Sequence, residues 1–472
     1  MYSQSYLGLT QWQAALSGHP ALKAIVPGVT AGNYHDGWVY QGGAFELSFN
    51  LSWAMTNLAP NTILRGAGAS PSALETYQAL LSAGDNLAEE FRRLPLAGSQ
   101  LLADCAPYYD QWLAHPTYDD FWASLDASAG YDALTVAALN IGGWYDIFLK
   151  GTIENFAGPR AAAPTPEDRA RQRLLLGPWN HSGMRRGNPI GAVDFGLRST
   201  GAHLDVDGLH LRWYDRWLRG LDNGVDDEPP IRLFVMGANE WRHEYEWPLA
   251  RTDWQGWFLH SDGSANSLRG DGVLSRQSPV AEPPDAYVYN PRNPVPTAGG
   301  GLCCNPVFSQ GGAFDQRAVE AREDVLVYTT PPLDQPLEVT GPVKLILYAS
   351  SNALDTDFTA KLVDVAPCGF ARNLTDGIIR ARYRHSMREA SLLPPNEVVE
   401  YTIDLVATSN VFHAGHRMRV EIASSNFPRF DRNPNTGEPP GRSTRLSSAL
   451  QHVFHDAACP SRLILPVITG PA

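Results

Sequence analysis

Met1-Tyr2-Ser3-Gln4-Ser5-Tyr6-Leu7-Gly8 opens the chain and runs directly into a helix-like segment, residues 9–16. The pattern small-x-Ser-x-x-Gly is typical of a nucleophile elbow, a tight strand-to-helix turn that exposes a serine hydroxyl. In this interpretation Ser5 is the nucleophile, and the backbone N–H of Tyr6 is an oxyanion donor at the start of the helix. The alternative is that Ser5 is only the N-cap of that helix.

The composition is that of a globular protein with an acidic surface. A length of 472 residues predicts two or three domains, and a net charge of −13 argues against nucleic acid as a partner. No apolar run approaches the ~20 residues that span a bilayer, so no membrane partner is expected. The sequence leaves the oligomeric state open, a homo-oligomer included.

The cysteines are few, odd in number and irregularly spaced, which predicts reduced thiols and no disulfide framework. For Cys303-Cys304 we expect a structural role, because no Cys-x-x-Cys and no neighbouring histidine supports a metal site. The five cysteines are Cys105, Cys303, Cys304, Cys368 and Cys459.

An elbow needs a strand before its serine, and only four residues precede Ser5. We therefore expect that the chain lacks an N-terminal segment with several strands and that Met1 is internal to a longer natural protein. Met1 is not followed by a basic, apolar leader, so a cytoplasmic location is expected, with the reservation that an N-terminal signal would lie outside this chain.

Buried strands and a helical insertion are predicted for the first half of the chain. Continuous apolar runs at 22–29, 133–143 and 173–177 are typical of parallel strands that are buried on both faces. Between the first two, helical spacing interrupted by prolines predicts a helical cap over residues 33–130. The α/β core is then expected to comprise residues 1–32 and 131–225.

Beyond the Pro-rich boundary at 226–230 the helical periodicity disappears. Short alternating or β-branched runs recur from Ile231 to Val467, with turn residues between them. This spacing predicts an all-β sandwich, a jelly roll, over residues 226–472.

Asp146 and His181 each follow the end of a predicted strand, where α/β sheets place their chemistry. Ser5, Asp146 and His181 come in the order nucleophile, acid, base, and an imidazole oriented by a carboxylate is what activates a serine hydroxyl. His181 as an ordinary loop histidine and Asp146 as a helix N-cap stay open. No metal-binding or nucleotide-binding motif is found, so no metal and no cofactor are expected.

Several motifs together resemble the CocE/NonD hydrolases of the X-Pro dipeptidyl-peptidase (S15) class, which include cocaine-esterase, glutaryl-acylase and α-amino-acid ester hydrolase types. The resemblance covers essentially the whole chain. The stretches that carry it are Ser3-Gln4-Ser5-Tyr6-Leu7-Gly8, Gly142-Gly143-Trp144-Tyr145-Asp146, Gly177-Pro178-Trp179-Asn180-His181-Ser182, Asp355-Thr356-Asp357-Phe358-Thr359-Ala360-Lys361-Leu362 and Ser425-Asn426-Phe427-Pro428-Arg429-Phe430-Asp431.

The resemblance implies an α/β-hydrolase fold with a helical cap and a C-terminal jelly roll, and a triad of Ser5, Asp146 and His181 with the Tyr6 amide in the oxyanion hole. Ser3 stands where the family usually has glycine. The family's second oxyanion donor, a tyrosine hydroxyl upstream of the nucleophile, has no counterpart in this chain.

The resemblance also bears on the substrate. Members that prefer α-amino acids carry carboxylates shortly after the catalytic acid, where this chain has Phe148 and Leu149. Phe148 resembles an aromatic pocket wall, and Trp38 is a second candidate wall. The alternative for both is core packing. Asp36 is a weaker candidate for binding a substrate amine, since a lone carboxylate there is more often a cap or turn residue.

These observations predict a serine hydrolase that cleaves an ester or amide with an apolar or aromatic acyl group through an acyl-enzyme. The expected partner is a small ester, an amide or a short peptide. An X-Pro dipeptidyl peptidase is the alternative among enzymes. A carbohydrate- or partner-binding protein with a decayed hydrolase domain is the alternative of another class.

Overall fold

A computed structural model of the chain describes residues 1–66, 70–305 and 310–470. The described residues form a six-stranded sheet, an eleven-stranded sheet system and a two-stranded ribbon. The predicted class, α/β with a helical insertion and a C-terminal β region, is confirmed by this arrangement.

The N-terminal half carries the six-stranded sheet, most of the helices and several irregular helical turns. The elements are β1 (Tyr2–Gln4), α1 (Tyr6–Ala15), β2 (Ala24–Gly28), β3 (Tyr40–Gln41), β4 (Ala44–Phe45), α2 (Leu47–Trp53), a π-helical turn (Ala54–Leu58), α3 (Ala59–Gly66), α4 (Pro71–Asp85), α5 (Leu87–Glu90), α6 (Tyr108–Ala114), α7 (Asp120–Ala123), a 3-10 turn (Ala127–Ala133), β5 (Ala137–Tyr145), α8 (Leu149–Ala162), α9 (Pro166–Ala170), β6 (Gln172–Asn180), α10 (Gly183–Arg186), a 3-10 turn (Leu197–Ser199), α11 (Val206–Arg219), β7 (Ile231–Val235) and β8 (Glu240–Glu244).

The six-stranded sheet has the order β1-β2-β5-β6-β7-β8. Its first five strands in this order are parallel, and β8 is antiparallel to β7. The central strands β5 and β6 are buried along almost their whole length, as their apolar sequences predict. Because parallel strands share a direction, the segments after β1, β5 and β6 leave the sheet at one edge. This edge positions the candidate site.

The helical insertion packs around an apolar core of its own. Trp38, Phe45, Phe49 and Trp122 are almost fully buried there, and the same cluster includes Phe148 at the start of α8. The insertion therefore shares its core with the loop that follows β5.

The C-terminal half is almost entirely β-structure. Its elements are β9 (Thr252–His260), β10 (Val273–Ser275), β11 (Asp285–Tyr289), α12 (Arg317–Glu320), β12 (Leu326–Thr329), β13 (Leu337–Ser351), β14 (Asp357–Val365), β15 (Ala371–Arg380), a 3-10 turn (Ala381–Tyr383), β16 (Val399–Phe412), β17 (Arg417–Ala423), β18 (Ala449–Phe454) and β19 (Arg462–Ile468).

These strands pair in the order β11-β18-β13-β19-β9-β10-β12-β17-β14-β15, and β16 pairs with β13. All of the pairs are antiparallel except β10 with β12. We call this half the β domain.

The sheet to which Ile231–Val235 belongs was predicted wrongly. We expected this run to be the first strand of the β domain, but it pairs in parallel with β6 in the first sheet. A short apolar run predicts that a strand is buried, but it does not indicate to which sheet the strand belongs. The first sheet thus extends past the boundary predicted at residue 226.

Among the helices that the structure describes, none combines the length and apolar character needed to cross a membrane.

Candidate active site

Ser5 occupies the turn between β1 and α1 in a strained backbone conformation, with φ 58° and ψ −130°. A positive φ is uncommon for a residue with a side chain and is found at sites where the surrounding structure enforces it. The Ser5 side chain makes no capping hydrogen bond to α1, so the N-cap alternative is wrong.

The elbow is held by the neighbouring strand and by a buried glutamine. The Ser5 N–H donates to the Gly28 carbonyl at the end of β2, at 2.9 Å. The Gln11 amide donates to the Ser3 carbonyl at 3.3 Å, and its oxygen accepts from the Val26 N–H at 3.1 Å. Gln11 is 1% exposed and ties α1 to both strands. No pattern in the sequence predicts this role for Gln11.

Gly8 is required by the close approach of α1 to the segment after β2. A Cβ at Gly8 would lie 2.8 Å from Cγ2 of Thr30 and 3.1 Å from the Gly28 carbonyl oxygen. The small residue expected at this position of the elbow is therefore explained by packing.

Asp146 and His181 meet at the ends of β5 and β6. Oδ1 of Asp146 lies 2.8 Å from Nδ1 of His181, and the Asp146 side chain is fully buried. Phe148, and not Asp146, occupies the N-cap position of α8, so the N-cap alternative for Asp146 is wrong. With Nδ1 engaged by the carboxylate, Nε2 of His181 is the nitrogen left to accept a proton.

Ser5 Oγ makes no hydrogen bond to any residue that the structure describes, His181 included. Hydrogen bonds between catalytic groups are often long in a free enzyme and tighten when substrate binds. The Tyr6 N–H likewise has no hydrogen-bond partner within the described residues, so it is free to donate to a substrate oxygen.

A series of neighbouring aromatic rings connects His181 with the elbow. The Phe148 ring lies 5.3 Å from the imidazole of His181 and stacks on Trp38 at 4.1 Å. Trp38 in turn lies 6.3 Å from Trp53, which lies 6.1 Å from Tyr6, the residue after Ser5. Phe148 and Trp38, the two predicted wall residues, are thus in contact, and both are buried in the apolar core of the cap, as the core-packing alternative expects.

Three further members of this wall come from the cap and its entry loop, and sequence reasoning missed them. The ring centroids of Phe49 and Tyr34 lie 6.0 Å and 5.4 Å from that of Trp38. Phe49 also stacks on Trp53, with 5.4 Å between the ring centroids. Burial and the neighbouring Tyr6 hydroxyl raise the pKa of Tyr34, so its hydroxyl keeps its proton. We call Tyr34, Trp38, Phe49, Trp53 and Phe148 the aromatic wall.

Asp36 is already paired inside the protein. Its Oδ2 lies 2.5 Å from Nζ of Lys150, and the Asp404 carboxylate approaches the same ammonium at 3.6 Å. The lysine holds the pKa of Asp36 below its usual range in spite of burial. A carboxylate neutralised in this way is a poor anchor for a substrate amine.

The cysteine prediction was wrong for one pair. Cys303 and Cys304 are joined as a disulfide, whereas we expected reduced thiols throughout. The structure also brings His181 to them: one nitrogen of His181 and the two sulfurs all lie within 4.8 Å of one another. This is the histidine that the local sequence did not supply, because His181 and Cys303 are 122 positions apart in the chain.

Both halves of the chain match models of known protein families. Residues 1–183 match the X-Pro dipeptidyl-peptidase (S15) family, and residues 223–464 match the C-terminal non-catalytic domain of X-Pro dipeptidyl-peptidases. The second match begins three residues before the boundary predicted at 226.

Individual relatives cover nearly the whole chain. A cocaine esterase from Rhodococcus sp. (strain MB1 Bresler) is 39% identical over 99% of this chain and 80% of its own length. Two solved structures each show 26% identity over 99% of this chain and 76% of theirs: an aminopeptidase from a marine sediment Thaumarchaeota archaeon, with a TM-score of 0.78, and an α-amino acid ester hydrolase, with a TM-score of 0.77.

Proposed function

Since the chain belongs to the X-Pro dipeptidyl-peptidase (S15) family and is a serine hydrolase acting on ester or amide bonds, we propose that Ser5, His181 and Asp146 are its catalytic triad. The alternative of a non-catalytic binding protein is therefore set aside. The observation that carries the assignment is the backbone of Ser5, held at φ 58° with no capping bond from its side chain.

In the proposed reaction Ser5 Oγ attacks the substrate carbonyl while Nε2 of His181 takes its proton. Asp146 holds the imidazole by its Nδ1 side and stabilises the imidazolium that forms. The Tyr6 N–H donates to the oxyanion, and the positive end of α1 lies behind it. His181 then returns the proton to the leaving group, and water releases the acyl group from Ser5 by the same steps.

The proposed acyl group is apolar or aromatic. The aromatic wall runs between His181 and the elbow, and aromatic faces bind apolar groups through burial and stacking. Asp36 is neutralised by Lys150, so its carboxylate does not favour a substrate with a free amino terminus. This argues for an ester hydrolase or acylase over an X-Pro dipeptidyl peptidase.

A fluorophosphonate probe tests the nucleophile, because it reacts with an activated serine. We expect one label per chain, on Ser5, and no label in Ser5→Ala. Ser17→Ala is the matched control, since Ser17 is an exposed serine just beyond the same helix. A label that persists in Ser5→Ala would overturn the assignment.

Substrate comparison tests the acyl group. We expect kcat/KM to rise from p-nitrophenyl acetate to p-nitrophenyl phenylacetate, and Phe148→Ala to remove most of that preference. Alanyl-prolyl-p-nitroanilide should be cleaved much more slowly than either ester. Faster cleavage of the anilide would favour the dipeptidyl-peptidase alternative.

A further inference from the structure

Two adjacent cysteines lie against the imidazole of His181. A nitrogen of His181 and the sulfurs of Cys303 and Cys304 are mutually within 4.8 Å. Cys303 is 2% exposed and packs in the same apolar cluster as Phe148, whereas Cys304 is exposed. One cysteine of the pair is thus buried and the other is exposed.

Described residues on both sides of the cysteine pair are held in place. Gly300 and Gly312 exchange two backbone hydrogen bonds, at 2.8 and 2.9 Å. A Cβ on Gly301 would lie 3.1 Å from the Asp146 carbonyl oxygen, and the Asn180 amide donates to the Gly311 carbonyl at 2.8 Å. Gly301 therefore lies beside Asp146, and Gly311 lies beside Asn180, the residue before His181.

The donor set suits a thiophilic cation. Thiolate sulfur and imidazole nitrogen are the ligands that Zn²⁺ prefers, with a solvent molecule completing a tetrahedron. Nδ1 of His181 bonds Asp146, which leaves Nε2 as the ligand, and a carboxylate behind a metal-binding histidine is the usual arrangement. A cavity of about 290 Å³, lined by His181 and both cysteines, gives an ion access.

We propose that, in the reduced protein, Cys303, Cys304 and His181 form a binding site for a thiophilic divalent cation such as Zn²⁺. On binding, the two thiols release their protons to solvent and each sulfur donates an electron pair to the ion. The disulfide form has no thiolates, so the site exists only after reduction. Because the ion takes Nε2 of His181, it blocks the nitrogen that accepts the serine proton, and this second consequence rests on the proposed function.

Direct cation binding tests the site without reference to activity. The protein is first reduced with a phosphine: the phosphorus takes up the oxygen of a water molecule, and each sulfur gains one electron and one proton. After anaerobic removal of the phosphine, Co²⁺ serves as the spectroscopic probe. We expect one Co²⁺ per chain with a thiolate-to-cobalt charge-transfer band, its displacement by Zn²⁺, and no band in the disulfide form.

Variants separate the three ligands. We expect Cys304→Ser to weaken Zn²⁺ binding at least tenfold, and its exposed position makes misfolding no obstacle. His181→Gln should weaken binding by a similar factor, whereas Cys368→Ser, at another exposed cysteine, should bind like the parent. A reduced parent without the charge-transfer band, or a Cys304→Ser or His181→Gln variant that binds like the parent, would overturn the proposed site.

Ester hydrolysis supplies the second measurement. We expect one equivalent of Zn²⁺ to reduce kcat at least tenfold in the reduced parent, a chelator to restore it, and Cys304→Ser to stay active at the same Zn²⁺ concentration. If Zn²⁺ binds with all three ligands and hydrolysis is unchanged, the site stands and the proposed role of His181 as the base is refuted.

Discussion

Replacing Asp146 by asparagine tests whether its carboxylate sets the position of the proton on His181. In the parent, Oδ1 accepts from Nδ1 of His181 at 2.8 Å and the side chain is fully buried. The second oxygen, Oδ2, is buried and has no hydrogen-bond partner among the described residues. The substitution keeps the shape of the side chain and removes its charge.

The amide can lie in two orientations, and burial decides between them. With its oxygen toward Nδ1, the NH₂ group takes the place of Oδ2 and is left without an acceptor, which costs ~1–3 kcal/mol. With its NH₂ toward Nδ1, the oxygen takes the place where the parent already holds an unpaired oxygen. The second orientation is therefore favoured, and it puts the imidazole proton on Nε2, where the ring cannot accept the proton of Ser5.

We expect kcat to fall by about 10⁴-fold, the loss measured for the same change in serine-protease triads, which corresponds to about 5 kcal/mol of transition-state stabilisation. KM should change little, because Asp146 lies behind the imidazole and does not face the substrate. Hydrolysis of p-nitrophenyl esters gives both constants, and circular dichroism reports whether the variant is folded.

Asp119→Asn is the matched control. Asp119 also pairs with a histidine, His115, at 2.6 Å from Nδ1, but on the partly exposed surface of the cap. The kcat of the Asp119→Asn variant should equal that of the parent. A folded Asp146→Asn variant with kcat within about tenfold of the parent would refute the reasoning, because less than ~1.4 kcal/mol would then depend on the carboxylate.

Two further predictions concern stability. Gly8→Ala places a methyl group 2.8 Å from Thr30 Cγ2 and should lower the free energy of unfolding by ~1–3 kcal/mol in urea titrations, whereas Gly66→Ala, where an added Cβ meets no described atom within 4 Å, should not. Burial, opposed by Arg429, raises the pKa of Glu46 from its ordinary value of 4.5 to about 7. Between these two pH values the native state holds a proton that the unfolded chain has released. The free energy of unfolding therefore falls as the pH rises from 4.5 to about 7. Glu46→Gln should therefore reduce the loss of stability between pH 5 and pH 8 by about 2 kcal/mol; a loss equal to the parent's would contradict the pKa shift.

Local sequence patterns were sufficient to predict the parallel strands and the polar residues at their ends. The run of apolar residues in β5 and in β6 has few other structural solutions, and the strand-end rule then put Asp146 and His181 at one edge of a sheet. Their contact through Nδ1 follows from adjacent strands in register, since Tyr145 pairs with Asn180.

Strands with polar sequences were missed, because their burial depends on distant partners. β15 carries Arg380, which is almost fully buried and bonds the carboxylates of Asp357 and Asp431. β8, with the sequence EWRHE, lies at the edge of the first sheet, and of its residues only Glu244 is buried. Neither has the apolar alternation by which strands are recognised.

The aromatic wall and the cysteine pair could not be predicted in full for a similar reason. Phe49 and Trp53 reach Trp38 only because the cap folds back over the elbow, and Cys303 reaches His181 through a loop of the β domain. Each of these contacts depends on how separate units pack, and spacing along a chain does not record that packing.

The β domain is part of the site's architecture, although the matching family domain is described as non-catalytic. The residue before Asp146, Tyr145, donates its hydroxyl proton to the Asn373 carbonyl in β15, at 2.9 Å. The residue before His181, Asn180, donates to the Gly311 carbonyl at 2.8 Å. Both bonds leave the strand ends and fasten them to the same neighbouring domain, so the distance between acid and base is fixed from outside the first sheet. A displacement of ~1 Å at such a site costs as much as 10²-fold in rate, and this explains why a hydrolase would keep a second domain that supplies no catalytic group.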